Sequence, residues 1–415
     1  MQLFEIVALL ITLAALFAYV NHRTIRLPTT IGVLLIAFAF SLALIGLDRA
    51  GLVGDDWMDW FREVEFAPAL LQGMLGFLLF AGALHVDLGE LLEQKWIVGL
   101  LATGGVLIST FLVGIATWLG ADWVGLEIGL LYCLLFGALI APTDPIAVLA
   151  VLKQAGVPPS VEMKIAGESR FNDGVGVVIF LVLLGTLGGA AGHGAELGAG
   201  SVLGLFVQEA LGGILLGLVL GYVAYRMLSG VDNYQVELMV TLALVTGGYA
   251  LASRLHLSGP LAMVAAGLLI GNPGRTFGMS ARTREHLDTF WELVDEVLNA
   301  VLFLMIGLEV LVLTFTRGFL IAGLVGIPLV LGVRFLSVGL MVTLLRVRRS
   351  FSPHAVTMLT WGGLRGGISV ALALSLPAGP ERDLIVAATY VIVAFSILVQ
   401  GLTIAPLARR LYGSS

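Results

Sequence analysis

Charge is scarce in this chain of 415 residues: 12% of them are charged and 59% are hydrophobic. A soluble domain carries about 25% charge, so a water-soluble globule is excluded and a polytopic membrane protein is implied. Cysteine is nearly absent. The single Cys133 lies in an apolar run, which leaves no disulfide framework and no cysteine-rich metal centre. The six histidines show no His-Glu-x-x-His spacing, so that kind of zinc site is excluded too. Long polar stretches are missing, and with them any soluble domain or linker. Met1 to Val20 also lacks the marks of a cleaved leader. It carries Glu5 where a basic start would be, and no Ala-x-Ala site precedes Asn21-His22-Arg23, so it reads as a retained first span. No cofactor and no nucleic-acid partner is expected; the lipid bilayer is.

What is present is a series of apolar runs, each near the roughly 20 residues that a membrane helix needs. They fall at 2–21, 28–47, 67–84, 96–119, 125–152, 161–188, 202–228, 234–253, 257–272, 287–315, 318–345, 353–376 and 383–408. The 53 glycines suit close helix packing in lipid. Positive charge tests the count of thirteen. With the N-terminus outside and the C-terminus cytoplasmic, 14 of the 22 lysines and arginines fall on or beside cytoplasmic loops, 5 fall outside, and Arg170, Arg334 and Arg365 remain within spans. That bias obeys the positive-inside rule, and one span more or fewer would scramble it.

Three spans are unusual. The fifth contains Ala141-Pro142-Thr143-Asp144-Pro145, where two prolines break a helix. The twelfth contains Trp361-Gly362-Gly363-Leu364-Arg365-Gly366-Gly367, a second unwinding. The eleventh carries Arg334. Spans five and twelve are seven apart, an odd offset that inverts direction. Interrupted segments at matching places in two halves point to an inverted-repeat transporter with its site at the crossing. The expected fold is therefore all-α, with about thirteen transmembrane helices, inverted repeats and two broken crossing helices.

The sixth span carries the densest polar cluster, Gly167-Glu168-Ser169-Arg170-Phe171-Asn172-Asp173-Gly174. Such groups are costly in hydrocarbon, so the cluster is a functional-site candidate. Glu168 and Asn172 share one helix face at i,i+4, and Ser169 and Asp173 share the next. Arg170 points away from that wall. Asp144 lies nine residues before Lys153 and Asp173 nine after Lys164, so both sit roughly 13 Å below the cytoplasmic side. Arg334 and Arg365 fall at comparable depth. Hard monovalent cations prefer oxygen ligands. Asp144, Asp173, Ser169, Glu168 and freed carbonyls near Thr143 could supply several. Glu168 has a second reading, as the structural partner of the permanently charged Arg334. One buried carboxylate, Asp173, would then alternate between a cation and a proton. Glu292, Asp295 and Glu296, with Asn299, could form an acidic cytoplasmic funnel in the tenth span. Two other classes compete. An aspartyl protease dyad lacks Gly-x-Gly-Asp and leaves Glu168 and Asn172 unexplained. A cation channel, in which acidic rings also select cations, would carry current.

Thr143-Asp144-Pro145, Glu168-Ser169-x-x-Asn172-Asp173-Gly174 and Gly363-Leu364-Arg365-Gly366 resemble motifs of the NhaP/NHE-type monovalent cation:proton antiporters. The likeness extends over nearly the whole chain, including Phe303-Leu304-Met305-Ile306-Gly307-Leu308-Glu309. The resemblance implies exchange of sodium or lithium for protons by a homodimer in the cell membrane. It makes Asp173 the ion- and proton-binding acid, with Asp144, Ser169 and the Thr143 backbone as co-ligands. Glu168 and Asn172 would be held by Arg334, and Arg365 would support the second broken helix. The Asn-Asp pair resembles the electroneutral branch, with potassium/proton exchange as the alternative. A core of spans 4–6 and 11–13 (about 96–188 and 318–408) would move against a dimerisation part (about 1–95 and 202–315).

Overall fold

The computed structural model describes residues 3–50, 68–85, 103–124, 128–144, 148, 159–192, 199–274, 279–311, 317–346 and 353–412. Regular structure among them is helical, apart from one isolated backbone bridge. Each of the thirteen predicted spans contains helix. In order these are α1 (Leu3–Val20), α2 (Thr29–Arg49), α3 (Pro68–Leu84), α4 (Gly105–Val124), α5 (Leu130–Ile140), α6 (Pro159–Gly192), α7 (Ala199–Leu228), α8 (Tyr234–Arg254), α9 (Gly259–Leu269), α10 (Ala281–Glu309) and α11 (Arg317–Arg346). The twelfth span holds α12 (Ala355–Trp361) and α13 (Gly367–Leu374); the thirteenth holds α14 (Pro380–Phe395) and α15 (Gly401–Tyr412). Among the described residues, six helical stretches are long and apolar enough to cross a membrane by themselves. The 30 residues of α11 reach about 45 Å at 1.5 Å per residue, against roughly 30 Å of hydrocarbon.

Both predicted breaks are present. Helix α5 ends at Ile140, and non-helical backbone follows through Asp144. Helices α12 and α13 are separated by Gly362–Gly366. Pro145 and the side chain of Arg170 lie outside the described residues. One boundary differs clearly from expectation. Helix α10 starts at Ala281, six residues before the apolar run, because its polar first turns do not register in a hydropathy count. Five-residue π-helical turns follow α1 (Asn21–Ile25) and α9 (Ile270–Gly274) and join α14 to α15 (Ser396–Gln400). Such turns have no hydropathy signature and often mark functional sites.

The chain divides into two compact units. One comprises Met1–Leu71, Thr143–Ala166 and Val297–Ser415; the other comprises Gln72–Pro142 and Gly167–Glu296. In the first, α11 packs on α14 through small residues: a methyl on Gly323 would stand 2.6 Å from Val391 Cβ, and one on Gly326 would stand 2.8 Å from Ile392 Cδ1. Ser41 Oγ donates to the Gly307 carbonyl at 2.9 Å, tying α2 to α10. In the second, fully buried Trp291 is the centre of the core. Its ring lies 4.7 Å from that of Phe80, and its indole N–H donates to Thr241 Oγ1 at 3.1 Å. An indole can be buried there because its one polar group has a partner. Local signals set the helix starts: Asn233 caps α8 by accepting from Gln235 N–H at 3.0 Å, and Ser258 caps α9 just ahead of Pro260.

Candidate functional site

The two broken spans meet backbone to backbone. Asp144 N–H donates to the Leu364 carbonyl at 2.7 Å, in an antiparallel bridge. Breaking a membrane helix frees polar backbone groups, and hydrocarbon tolerates that only if they are matched or line a cavity. Several of the freed groups around the twelfth-span break can be traced. Gly362 N–H still reaches the Met358 carbonyl at 2.8 Å, and Leu364 N–H reaches the Gly362 carbonyl at 2.9 Å. Arg334 Nη2 donates to the Leu359 carbonyl at 3.3 Å. The Trp361 carbonyl accepts from Gln400 Nε2 at 3.1 Å, and Arg365 N–H donates to Ser396 Oγ at 2.9 Å. Ser396 Oγ in turn donates to Gln400 Oε1 at 2.7 Å. The π-helical turn of the thirteenth span thus clasps both sides of the break.

Charges are matched to the half-helix ends. The Arg334 guanidinium sits at the C-terminal end of α12, where the helix dipole is negative. The Asp144 side chain lies against Gly366, the residue that precedes α13, where the dipole is positive. The fit is close. A methyl on Gly366 would stand 2.6 Å from Asp144 Cβ and 2.9 Å from its Cγ, and would overlap Oδ2. One on Gly363 would stand 2.9 Å from Arg334 Nε and 3.1 Å from Thr143 Cγ2. This approach requires glycine at Gly366, and at Gly363 glycine spares the Arg334 side chain a shift. Backbone freedom plays no part at Gly366, whose φ of −116° is ordinary extended chain.

The predicted residues therefore fall into two sets. Thr143, Asp144, Arg334 and Arg365 come together at the crossing in the first unit. Thr143, Arg334 and Arg365 are buried, and Asp144 is half-buried. Glu168, Ser169, Asn172 and Asp173 lie on the unbroken helix α6 in the second unit; the first three are buried and Asp173 is half-buried. Within that unit α6 packs against the start of the fifth-span break, because a methyl on Gly176 would run into the Pro142 ring. Asp173 is three residues from Gly176, so the two share a helix face. On α10, Glu292 and Glu296 are exposed and Asp295 is half-buried. Ser396 and Gln400 were missed from the sequence. Two polar side chains four apart in an apolar span are a legible signal, but a weak one beside the dense polar cluster of the sixth span.

Helices broken at matching places and crossed at buried charges define a membrane-embedded secondary transporter, not an enzyme. A model of the family described as sodium/hydrogen exchanger, transmembrane, matches residues 10–410, and the chain belongs to that family. It is 51% identical over 414 residues to a Na(+)/H(+) antiporter NhaP of Pseudomonas aeruginosa, covering 98% of this chain and 97% of the relative. It is 33% identical to a Na(+)/H(+) antiporter NhaH of Halobacillus dabanensis, covering 94% and 93%. The fold matches that of the sodium proton antiporter MjNhaP1 from Methanocaldococcus jannaschii at pH 8, with a TM-score of 0.75, 22% identity and all of both chains covered.

Proposed function

We propose that this protein exchanges sodium or lithium ions for protons across the cell membrane, one for one and without net charge movement. Asp173 is the acid that holds the cation and the proton in turn. Asp144, Ser169 and the Thr143 backbone complete the oxygen set, which suits a hard monovalent cation. Charge on a carboxylate is costly away from water, and a bound cation or a proton each offsets it. Competition for one group is then sufficient for exchange. Glu168 and Asn172 are held by Arg334, and Arg365 supports the twelfth-span break. Glu292, Asp295 and Glu296 draw cations toward the cytoplasmic entrance. The protein works as a homodimer, with its N-terminus outside and C-terminus inside. The parts at about 96–188 and 318–408 move against those at about 1–95 and 202–315.

The observation that carries this reading is the bridge between Asp144 and Leu364, which joins two broken spans as an inverted-repeat transporter requires. The approach of α6 to Pro142 supports a role for Asp173 one turn away. The exchange activities named for the relatives agree with it. The test is a pH-sensitive dye in liposomes containing the purified protein. Sodium pulses should move protons with the membrane potential clamped or free, and Asp173→Asn should cut the signal at least 100-fold. Undiminished exchange by Asp173→Asn would remove the central assignment. A larger response to potassium than to sodium would favour the potassium reading, and a potential-driven current without proton movement would favour a channel.

A further inference from the structure

The turn between the first two spans is built with more care than a connection needs. Asn21 is buried, and its carboxamide grips Leu27 twice: Nδ2 donates to the Leu27 carbonyl at 2.7 Å and Oδ1 accepts from Leu27 N–H at 3.2 Å. Arg26 N–H donates to the Asn21 carbonyl at 2.7 Å, with Arg26 in the left-handed region at φ 60°. A methyl on Gly32 would overlap the Asn21 carboxamide, so glycine there makes room for the lock. The locked turn borders a half-open cavity of about 430 Å³, lined by His22, Arg23, Arg26 and Thr29 among others.

The donors around this cavity suit an anion. Arg23 and Arg26 each present a fork of N–H groups matched to phosphate. Helix α2 begins at Thr29 with no side-chain cap and no acid in its first turn. Its first N–H groups therefore add a positive dipole end beside the two guanidinium groups. Among the described residues no carboxylate pairs with Arg23 or Arg26. The nearest acids in sequence, Glu5 and Asp48, lie toward the far ends of the two spans, roughly 25–30 Å away along the helices. Because the candidate spans Phe4–Ile25 and Thr29–Asp48 meet at this turn, it stands at headgroup level.

We propose that this turn is a binding site for a phosphate group, supplied by an anionic lipid headgroup or by free phosphate. The test uses the full purified chain in detergent, with binding read by native mass spectrometry and thermal shift. The probes are phosphatidylglycerol, phosphatidylcholine and inorganic phosphate. Phosphatidylglycerol should bind in preference to phosphatidylcholine. Replacing both arginines, Arg23→Gln/Arg26→Gln, should weaken it roughly 30-fold, at about fivefold per charge near a membrane surface. Displacement of the lipid by millimolar inorganic phosphate would identify free phosphate as the source; retention would identify the lipid. Both side chains are exposed, so the double variant should melt like the parent without ligand. Arg409→Gln/Arg410→Gln removes two exposed cations elsewhere and should leave binding unchanged. Equal loss in that control, equal affinity in parent and Arg23→Gln/Arg26→Gln, or no preference for any probe would overturn the assignment.

Discussion

Gly366→Ala should disable transport while leaving a folded protein. The added methyl would stand 2.6 Å from Asp144 Cβ and 2.9 Å from its Cγ. Ordinary carbon–carbon contact begins near 3.5 Å, so the two groups must separate by about 0.9 Å. Asp144 cannot simply slide, because its N–H is bonded to the Leu364 carbonyl at 2.7 Å. Either the carboxyl turns away from the end of α13 or the crossing opens. Overpacking of this kind costs about 1–3 kcal/mol. A displacement near 1 Å at a reacting group can cost about 100-fold in rate. The expected result is sodium-driven proton movement in liposomes reduced by one to two orders of magnitude, with a lower melting temperature. Two comparators calibrate it. At Gly363 the closest obstruction is Arg334 Nε at 2.9 Å, the far part of a longer side chain, so Gly363→Ala should be milder. Nothing lies within 4 Å of the position a methyl would take on Gly332. Gly332→Ala should gain up to about 1 kcal/mol of helix stability. Parent-like transport by Gly366→Ala, or equal effects at all three glycines, would refute the reasoning.

The remaining expectations concern partners of the breaks. Arg334→Gln should lower stability by about 1.5–3 kcal/mol, since it removes a charged donor from the buried Leu359 carbonyl; a melt unchanged from the parent would argue against the cap. If Glu168 and Arg334 are coupled, Glu168→Gln/Arg334→Gln should recover part of the loss of the single variants, and additive melts would deny the coupling. Gln400→Leu should cost about 1–3 kcal/mol by leaving the Trp361 carbonyl and the Ser396 hydroxyl short of a partner. A Gln400→Leu variant with unaltered melting and transport would show that the clasp is idle.

Much of this architecture was legible because membrane helices announce themselves by length and apolarity. Breaks announce themselves by the residues that cannot continue a helix. Pro142 marked the end of α5, and the four glycines around Arg365 marked the gap between α12 and α13. Other parts were illegible for a definite reason. One partner of Arg334 is the Leu359 carbonyl, a backbone group that becomes available only when a different span is interrupted. No residue letter encodes such an acceptor. The π-helical turn at Ser396–Gln400 is likewise a consequence of packing against the break, since its two polar side chains bond to the backbone of Trp361 and Arg365. The start of α10 was misplaced because a helix that extends past the hydrocarbon needs no apolar residues there.

The pattern of bonds at the crossing bears on what moves during exchange. A flexible break would leave freed backbone groups to trade partners as the ion passes. Here the carbonyls of Met358, Leu359, Trp361, Gly362 and Leu364 and the N–H groups of Asp144, Leu364 and Arg365 all have partners within 3.3 Å. They involve the backbone or side chains of four different spans. Opening any one exposes a polar group to a medium without water, which costs about 1–3 kcal/mol each. Several would open together, so the crossing behaves as a rigid piece. Alternating access must then come from displacement of that piece as a whole. Amide exchange measured by mass spectrometry over 360–370 should stay slow, and equally slow with and without sodium. Helix ends facing water, such as the stretch near Arg409, should exchange quickly in both conditions. Sodium-dependent exchange confined to 360–370 would show that the break itself reshapes, and would place the moving element where these hydrogen bonds argue it is not.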